Sequence, residues 1–389
     1  MNELVTRALL PAGLRDALPA EADQEAEIVW RVTQVFKRYG YARVKPPMVE
    51  FEESLLAGSQ AGMSRHCFRL MDPDSQRMMA LRADMTPQVA RIAATRLKGE
   101  ARPLRLSYAG QVLRVKGDGL RPERQFGQVG AELIGADEPA ADAEIIAMSA
   151  AALADVGAAH VSIDLTIPYL VPAIIGWSQV PPDVAASLRA ALDRKDAAEA
   201  ASLGGKIGVL LAELVAASGP AAAALAKLDG LDLPPAARGE VVRLKEAVRL
   251  VQLARPDLAL TIDTVERRGF EYQKGLSFTI FARGVRGELG RGGRYLAGED
   301  LMEGAGETAT GVTLFTDTVL RALPFPAAEA CAFAPFGTPP AVVAALRESG
   351  RIVREGFGSV PDAIAEARRL GCSHIVEGGK AVVLEEAKK

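Results

Sequence analysis

Metal-ligating and disulfide-forming residues are scarce in this sequence. Its 389 residues include three cysteines, Cys67, Cys331 and Cys372, and three histidines, His66, His160 and His374. No Cys-x-x-Cys spacing occurs, so neither a disulfide framework nor a zinc site is expected. The adjacent His66 and Cys67 lack the further ligands that a metal ion needs. No uncharged apolar run reaches the roughly 18 residues of a membrane span. The first residues carry an acid, Glu3, and no apolar core with a cleavage site, so no signal peptide is expected and a cytoplasmic location follows by default. Net charge is −3, which gives no global attraction to RNA, although a local basic patch would be enough to bind it.

With 49% hydrophobic and 24% charged residues, the chain is globular and long enough for two or three domains. The richest stretch is residues 105–135, two strand-like segments around a polar, glycine-bearing loop. Side chains alternate across a strand, so Phe126, Gln128, Gly130 and Glu132 share one face while Gln125, Val129, Ala131 and Leu133 take the other. If exposed, that polar face is ordinary solvated strand. If buried, a glutamine and a glutamate on either side of a glycine gap form a ligand slot, because glycine admits close approach and a buried carboxylate needs partners.

Elsewhere, Ile28, Val32, Val35 and Phe36 recur at helical spacing over residues 20–39, with Gly40 as terminator. Strand-like runs follow near Val44 and over residues 67–71, 76–81, 104–115 and 125–135, then a covering helix over 140–156 and a strand over 161–166. Thr86 before Pro87 reads as the N-cap of a helix over 87–98. Residues 168–260 are alanine-rich helical sequence broken by Pro-Pro, Gly-Gly and Gly-Pro pairs, with a lone Gly204-Gly205-Lys206 that lacks full phosphate-loop spacing. Strands are expected to resume over 260–263, 277–282 and 285–290, with Gly290 to Tyr295 a glycine-rich turn offering Arg291 or Arg294 to an anion. From about residue 326, strands at 331–335 and 351–354 and from His374 alternate with helices at 340–349 and 361–370, which implies a small α/β module near the lower size limit for a core of its own.

Four ordered motifs resemble histidyl-tRNA synthetase, a class II aminoacyl-tRNA synthetase. Arg114, a loop, then Arg124, Gln125, Phe126, Gln128 and Glu132 look like its motif 2; FKRYGYARVKPPMVE at residues 36–50 is similar to motif 1; LRADMTPQVAR at 81–91 resembles the segment that grips the α-amino group; and RRGFEYQKGLSF at 267–278 with GRGGRY at 290–295 resembles the histidine-specific segments. The resemblance covers residues 10–325. It implies an α+β fold: a class II synthetase-like domain over 1–325 with an antiparallel sheet flanked by helices, the helical insertion within it, and a C-terminal module over 326–389 similar to a shortened anticodon-binding domain. It also implies a histidine pocket of Asp84, Thr86, Arg114, Gln128, Glu132, Arg268, Tyr272 and Gln273, with Asp84 in place of the usual glutamate and Gln273 in place of a second tyrosine.

The departures fall on the nucleotide side. Lys116 stands where the synthetases read adenine with a glutamate, and a lysine has donors only. Thr318 stands where motif 3 ends in a phosphate-holding arginine; Arg321, one turn on, is the nearest substitute. Loss of such a cation typically costs about 10² or more in rate. Retained histidine contacts with lost ATP contacts resemble the ATP phosphoribosyltransferase regulatory subunits, synthetase paralogues without aminoacylation activity. That resemblance implies a short-form ATP phosphoribosyltransferase as partner, L-histidine as effector, feedback control of the first step of histidine biosynthesis, self-association through the motif 1 region, no tRNA and no cofactor. The competing reading is an active histidyl-tRNA synthetase or another amino-acid-activating ligase.

Overall fold

Helix α1 (Pro19–Arg38) starts at a proline whose fixed φ suits the first turn, and it stops where Gly40 takes a left-handed φ of 87° and returns its N–H to Lys37 O. Its buried stripe is Ile28, Val32, Val35 and Phe36, as the spacing predicts. The computed structural model describes residues 9–56, 64–117, 119, 121–267, 273–299, 306–325 and 330–384. Two compact units divide the chain, Met1–Pro324 and Phe325–Lys389.

In the first unit, α1 leads to β1 (Ala42–Arg43), β2 (Val49–Phe51), α2 (Glu52–Leu55), β3 (Arg69–Met71), β4 (Met78–Leu81) and α3 (Thr86–Thr95). Strands β2, β4 and β3 form a small sheet of their own. The long antiparallel pair β5 (Leu104–Leu113) and β6 (Gln125–Ile134) follows, then α4 (Pro139–Val156) and β7 (Val161–Thr166). Helices α5 (Leu170–Ser178), α6 (Pro182–Asp193), α7 (Ala197–Ser202), α8 (Lys206–Ala217), α9 (Ala221–Asp229) and α10 (Pro235–Ala254) make up the alanine-rich region, with β8 (Gly219–Pro220) between α8 and α9. The unit closes with β9 (Ala259–Asp263), β10 (Ser277–Ala282), β11 (Gly290–Ala297), β12 (Glu307–Phe315) and α11 (Thr316–Arg321). The main sheet runs β1-β5-β6-β12-β11-β10-β7-β9-β8, antiparallel except where β1 joins β5 and β7 joins β9.

Residues directly opposite on neighbouring strands point to one side, so the register assigns the two faces. Val129, Val312, Leu314, Phe278, Ile280, Ile163 and Leu165 lie on one, buried in a single core with Ile145, Ile146, Met148 and Leu153 of α4 and with the apolar stripes of α1 and α5 to α10. The alanine-rich region therefore extends the sheet's core. The other face carries Gln128, Glu132, Tyr108 and Thr313 in a polar patch, flanked by a second, smaller apolar cluster that includes Leu106, Phe126, Ile134 and Phe315 with Met85 and Val89 of the α3 region.

Two sequence expectations are corrected here. Residues 285–289 form no strand, and Gly290 to Tyr295 is part of β11, an inner strand of the sheet. Its glycines answer close approach: a Cβ on Gly292 would lie 2.4 Å from the Phe278 ring, and one on Gly293 2.7 Å from Gln273 Oε1. Arg294 points to the apolar side, where its guanidinium donates to Asp142 Oδ2 at 2.8 Å, Ala136 O at 2.9 Å and Glu138 O at 3.2 Å, so it is not available to a ligand. Arg291 pairs with Glu288, its Nε 3.0 Å from Glu288 Oε1.

The second unit is a four-stranded sheet in the order β14-β13-β15-β16, built from β13 (Cys331–Ala334), α12 (Pro340–Glu348), β14 (Ile352–Glu355), α13 (Ala363–Arg369), β15 (His374–Glu377) and β16 (Lys380–Val383). Among the described residues of the chain, no helix is long and apolar enough to cross a membrane.

The Arg294–Asp142 pair pins α4 to the sheet with both side chains 5% exposed. Asp142→Ala would strand a buried guanidinium and is expected to cost about 3–5 kcal/mol. The urea midpoint of the variant checks this; a loss below about 1 kcal/mol contradicts it.

Candidate functional site

The polar sheet face converges on the carboxylate of Glu132, which is 1% exposed. Space for it exists because Gly311 stands opposite on β12: a Cβ there would sit 1.8 Å from Glu132 Oε2. Three hydroxyls fill the surroundings. Thr86 Oγ1 and Tyr108 OH donate to Oε1 at 2.9 and 3.1 Å, and Tyr295 OH donates to Oε2 at 2.9 Å. Tyr108 OH also lies 3.0 Å from Thr86 Oγ1 and 2.8 Å from Thr313 Oγ1, tying β5, β6, β11, β12 and α3 into one network.

These hydroxyls soften the cost of burial without cancelling it. Desolvation pushes the Glu132 carboxyl up to about 8, against the hydroxyl bonds that favour the anion, and the nearby Asp84 charge adds to the rise. A buried carboxylate ringed by neutral donors is a site for a cation or a proton.

The neighbouring wall comes from the turn before α3. Met85 N donates to Asp84 Oδ1 at 2.7 Å and to Gln128 Oε1 at 3.1 Å, so one backbone amide holds both side chains. Thr86 is not an N-cap as expected: the helix begins at Thr86 itself, Met85 is the cap residue with no side-chain cap bond, and the Thr86 hydroxyl is committed to Glu132. Arg114 leaves the end of β5 with Nε 3.5 Å from Ala83 O and its guanidinium 5.0 Å from the Phe126 ring. Gln273 belongs to the same row of the sheet through Gly293, which stands opposite Gly311. Its Nε2 donates to Gly292 O at 3.3 Å, while its Oε1 is buried without a partner. An orphaned amide oxygen is costly unless a ligand donates to it. The structure thus brings together Asp84, Thr86, Gln128 and Glu132, with Arg114 beside them and Gln273 along the row; Arg268 and Tyr272 lie outside the described residues.

Sequence reasoning left the gap at Gly130 for a ligand. It is filled by Tyr108, directly opposite on β5, whose ring carbon would be 2.2 Å from a Cβ at Gly130. Tyr108, Tyr295 and Thr313 were all missed as site residues. The available signal was the facing pair itself, a large side chain across from a glycine.

Next to this pocket, Phe126 and Phe315 stand edge to face with centroids 5.9 Å apart. The guanidinium of Arg121, from the loop between β5 and β6, lies 3.8 Å from the Phe315 ring centre and 4.6 Å from that of Phe126. Arg121 Nε donates to Asp317 Oδ2 at 3.2 Å, and both residues are more than nine-tenths buried. The planar Arg121 cation is thus held against two rings and a carboxylate. Arg321 is held by Asp317 at 3.3 Å and Glu123 at 3.2 Å, Thr318 donates its hydroxyl to Phe315 O at 3.1 Å, and Lys116 is exposed.

A family model described as histidyl-tRNA synthetase matches residues 13–319. An ATP phosphoribosyltransferase regulatory subunit of Paramagnetospirillum magneticum is 56% identical over 374 residues, 96% of this chain and 97% of that protein. Another from Rhodospirillum centenum is 56% identical over 379 residues, 97% of each. Among solved structures, an ATP phosphoribosyltransferase regulatory subunit/histidyl-tRNA synthetase from Bacillus halodurans superposes with a TM-score of 0.80 at 24% identity, over 93% of this chain and 96% of that one. A histidyl-tRNA synthetase from Nostoc gives 0.79 at 19%, over 95% and 91%. At those identities the structures establish the class II synthetase-like fold.

The Glu132 proton has a measurable consequence. A carboxyl whose folded value is raised from 4.5 to about 8 adds stability that is complete below the unfolded value and lost as pH rises through 8. The ligand-free protein is expected to lose thermal stability between about pH 5 and 9 relative to Glu132→Gln. Parallel melting-temperature profiles for the two proteins would contradict this.

Proposed function

The chain belongs to the histidyl-tRNA synthetase family and, within it, to the ATP phosphoribosyltransferase regulatory subunits, and from this we propose that it senses L-histidine in the Glu132 pocket and controls a short-form catalytic subunit. The carrying observation is the buried, hydroxyl-ringed carboxylate beside a pair of aromatic rings against which the chain packs its own arginine. In this reading Glu132, Asp84 and Thr86 receive the α-ammonium group, Arg114 faces the α-carboxylate, and the orphaned Gln273 oxygen accepts from the imidazole N–H. Gln128 holds the turn that carries Asp84. Arg268 and Tyr272, assigned to the same pocket by the family resemblance, lie outside the described residues. A zwitterion with a donor ring matches a site that has one buried acid, one cation and one unsatisfied acceptor.

The nucleotide half supports a non-catalytic role. Arg121 packs against both Phe126 and Phe315 and pairs with Asp317, the Thr318 hydroxyl is spent on its own turn, and Lys116 has no acceptor for an adenine amine. An amino acid is bound and not activated. Histidine can then act on a distant catalytic subunit only by binding one quaternary arrangement more tightly than another. The same reading places the protein in the cytoplasm, lets it self-associate through residues 36–50, and gives tRNA no role.

Mixing the protein with a short-form ATP phosphoribosyltransferase should yield a larger assembly with catalytic activity that histidine inhibits. Glu132→Gln and Asp84→Ala are each expected to raise the histidine concentration needed by on the order of 10- to 100-fold while assembly mass is unchanged. Unchanged inhibition in both variants would place the effector elsewhere. Histidine-dependent exchange of pyrophosphate into ATP would make the protein a ligase instead.

A further inference from the structure

The three cysteines look unrelated in sequence, yet two of them meet in the second unit. Cys331 opens β13, and Cys372 lies two residues before β15, its parallel neighbour, in the register Ala332↔His374. Ser373 N donates to Cys331 O at 2.9 Å, which locks the two backbones side by side at the cysteines themselves. Their Sγ atoms are 3.0 Å apart, at 4% and 5% residue exposure, within a core shared with Phe333, Ala367 and Ile375. Two thiols 41 positions apart in sequence are therefore held face to face, about 1 Å short of bonding distance, by the sheet's own hydrogen bonds. Cys67, in the first unit, sits in a different cluster with Leu55 and Ala80.

We propose that Cys331 and Cys372 are a reversible disulfide site that staples the C-terminal unit. Together the thiols give up two protons and two electrons as one S–S bond forms. With a peroxide as oxidant, the first sulfur displaces one water on becoming a sulfenic acid; attack by the second sulfur on it expels the other. A dithiol reductant reverses the step. Burial and the neighbouring Cys331 push the Cys372 thiol up to about 12, so little thiolate exists at neutral pH and the reaction is slow. The same burial shields the finished bond from attacking thiols. The benefit is physical: a module this small has little core, and closing a long loop restricts its unfolded chain.

The test uses the full-length protein. It is held for hours in dilute hydrogen peroxide, quenched, denatured, alkylated with iodoacetamide and weighed. Of the three thiols, the expected count of alkylated ones falls to one, with a cross-linked peptide pair that contains Cys331 and Cys372. The melting temperature of the second unit rises by about 10 °C and returns to its starting value with dithiothreitol. Cys331→Ala keeps the reduced protein's melting behaviour and forms no cross-link. Three alkylated thiols after prolonged oxidation, or sulfinic acid at either position without a cross-link, would overturn the proposal. The wild-type thiol count decides it even if the variant folds poorly.

Discussion

A carboxylate buried among neutral hydroxyls of the described residues sets the terms for the rest of the sheet. Glu132 is kept in place by Thr86, Tyr108 and Tyr295, and each of those hydroxyls fixes a separate element: the start of α3, β5 and β11. Gly311 has to be glycine because the carboxylate lies against its α-carbon. The apolar core on the opposite face gives this polar side a rigid backing. Desolvation outweighs the neutral donors and pushes this carboxyl up to about 8, so a proton and a cationic ligand would compete for it near neutral pH.

The two halves of the polar face differ in what their buried groups contact. The half of the site built around Glu132 has unmet electrostatic demand, from the carboxyl itself and from the Gln273 oxygen. The half built around Phe126 and Phe315 is held by ion pairs, Arg121 and Arg321 with Asp317 and Arg321 with Glu123, although Asp317 Oδ1 and Glu123 Oε2 are also buried without a partner. A ligand gains by entering the first and must displace a packed ion pair to enter the second.

Periodicity made part of this legible. Alternation along residues 125–134 placed Gln128 and Glu132 on one face, and helical spacing found α1 and its buried stripe. Strand β11 was hidden because its glycines carry no alternation and resemble a turn; only the Phe278 ring and Gln273 pressing on them show why glycine is there. Tyr108 in the Gly130 gap and Arg121 against two rings depend on which strands are neighbours, which local spacing does not encode. The meeting of Cys331 with Cys372 was missed for the same reason.

The central claim is that a histidine ammonium group takes the place of the Glu132 proton. Calorimetric titration of the protein with L-histidine at pH 7, repeated in buffers of different ionisation enthalpy, measures the protons exchanged on binding. Release of about one proton per histidine, falling towards zero well above pH 8, is the predicted result. Binding with no proton release at pH 7, or release that persists in Glu132→Gln, would contradict it.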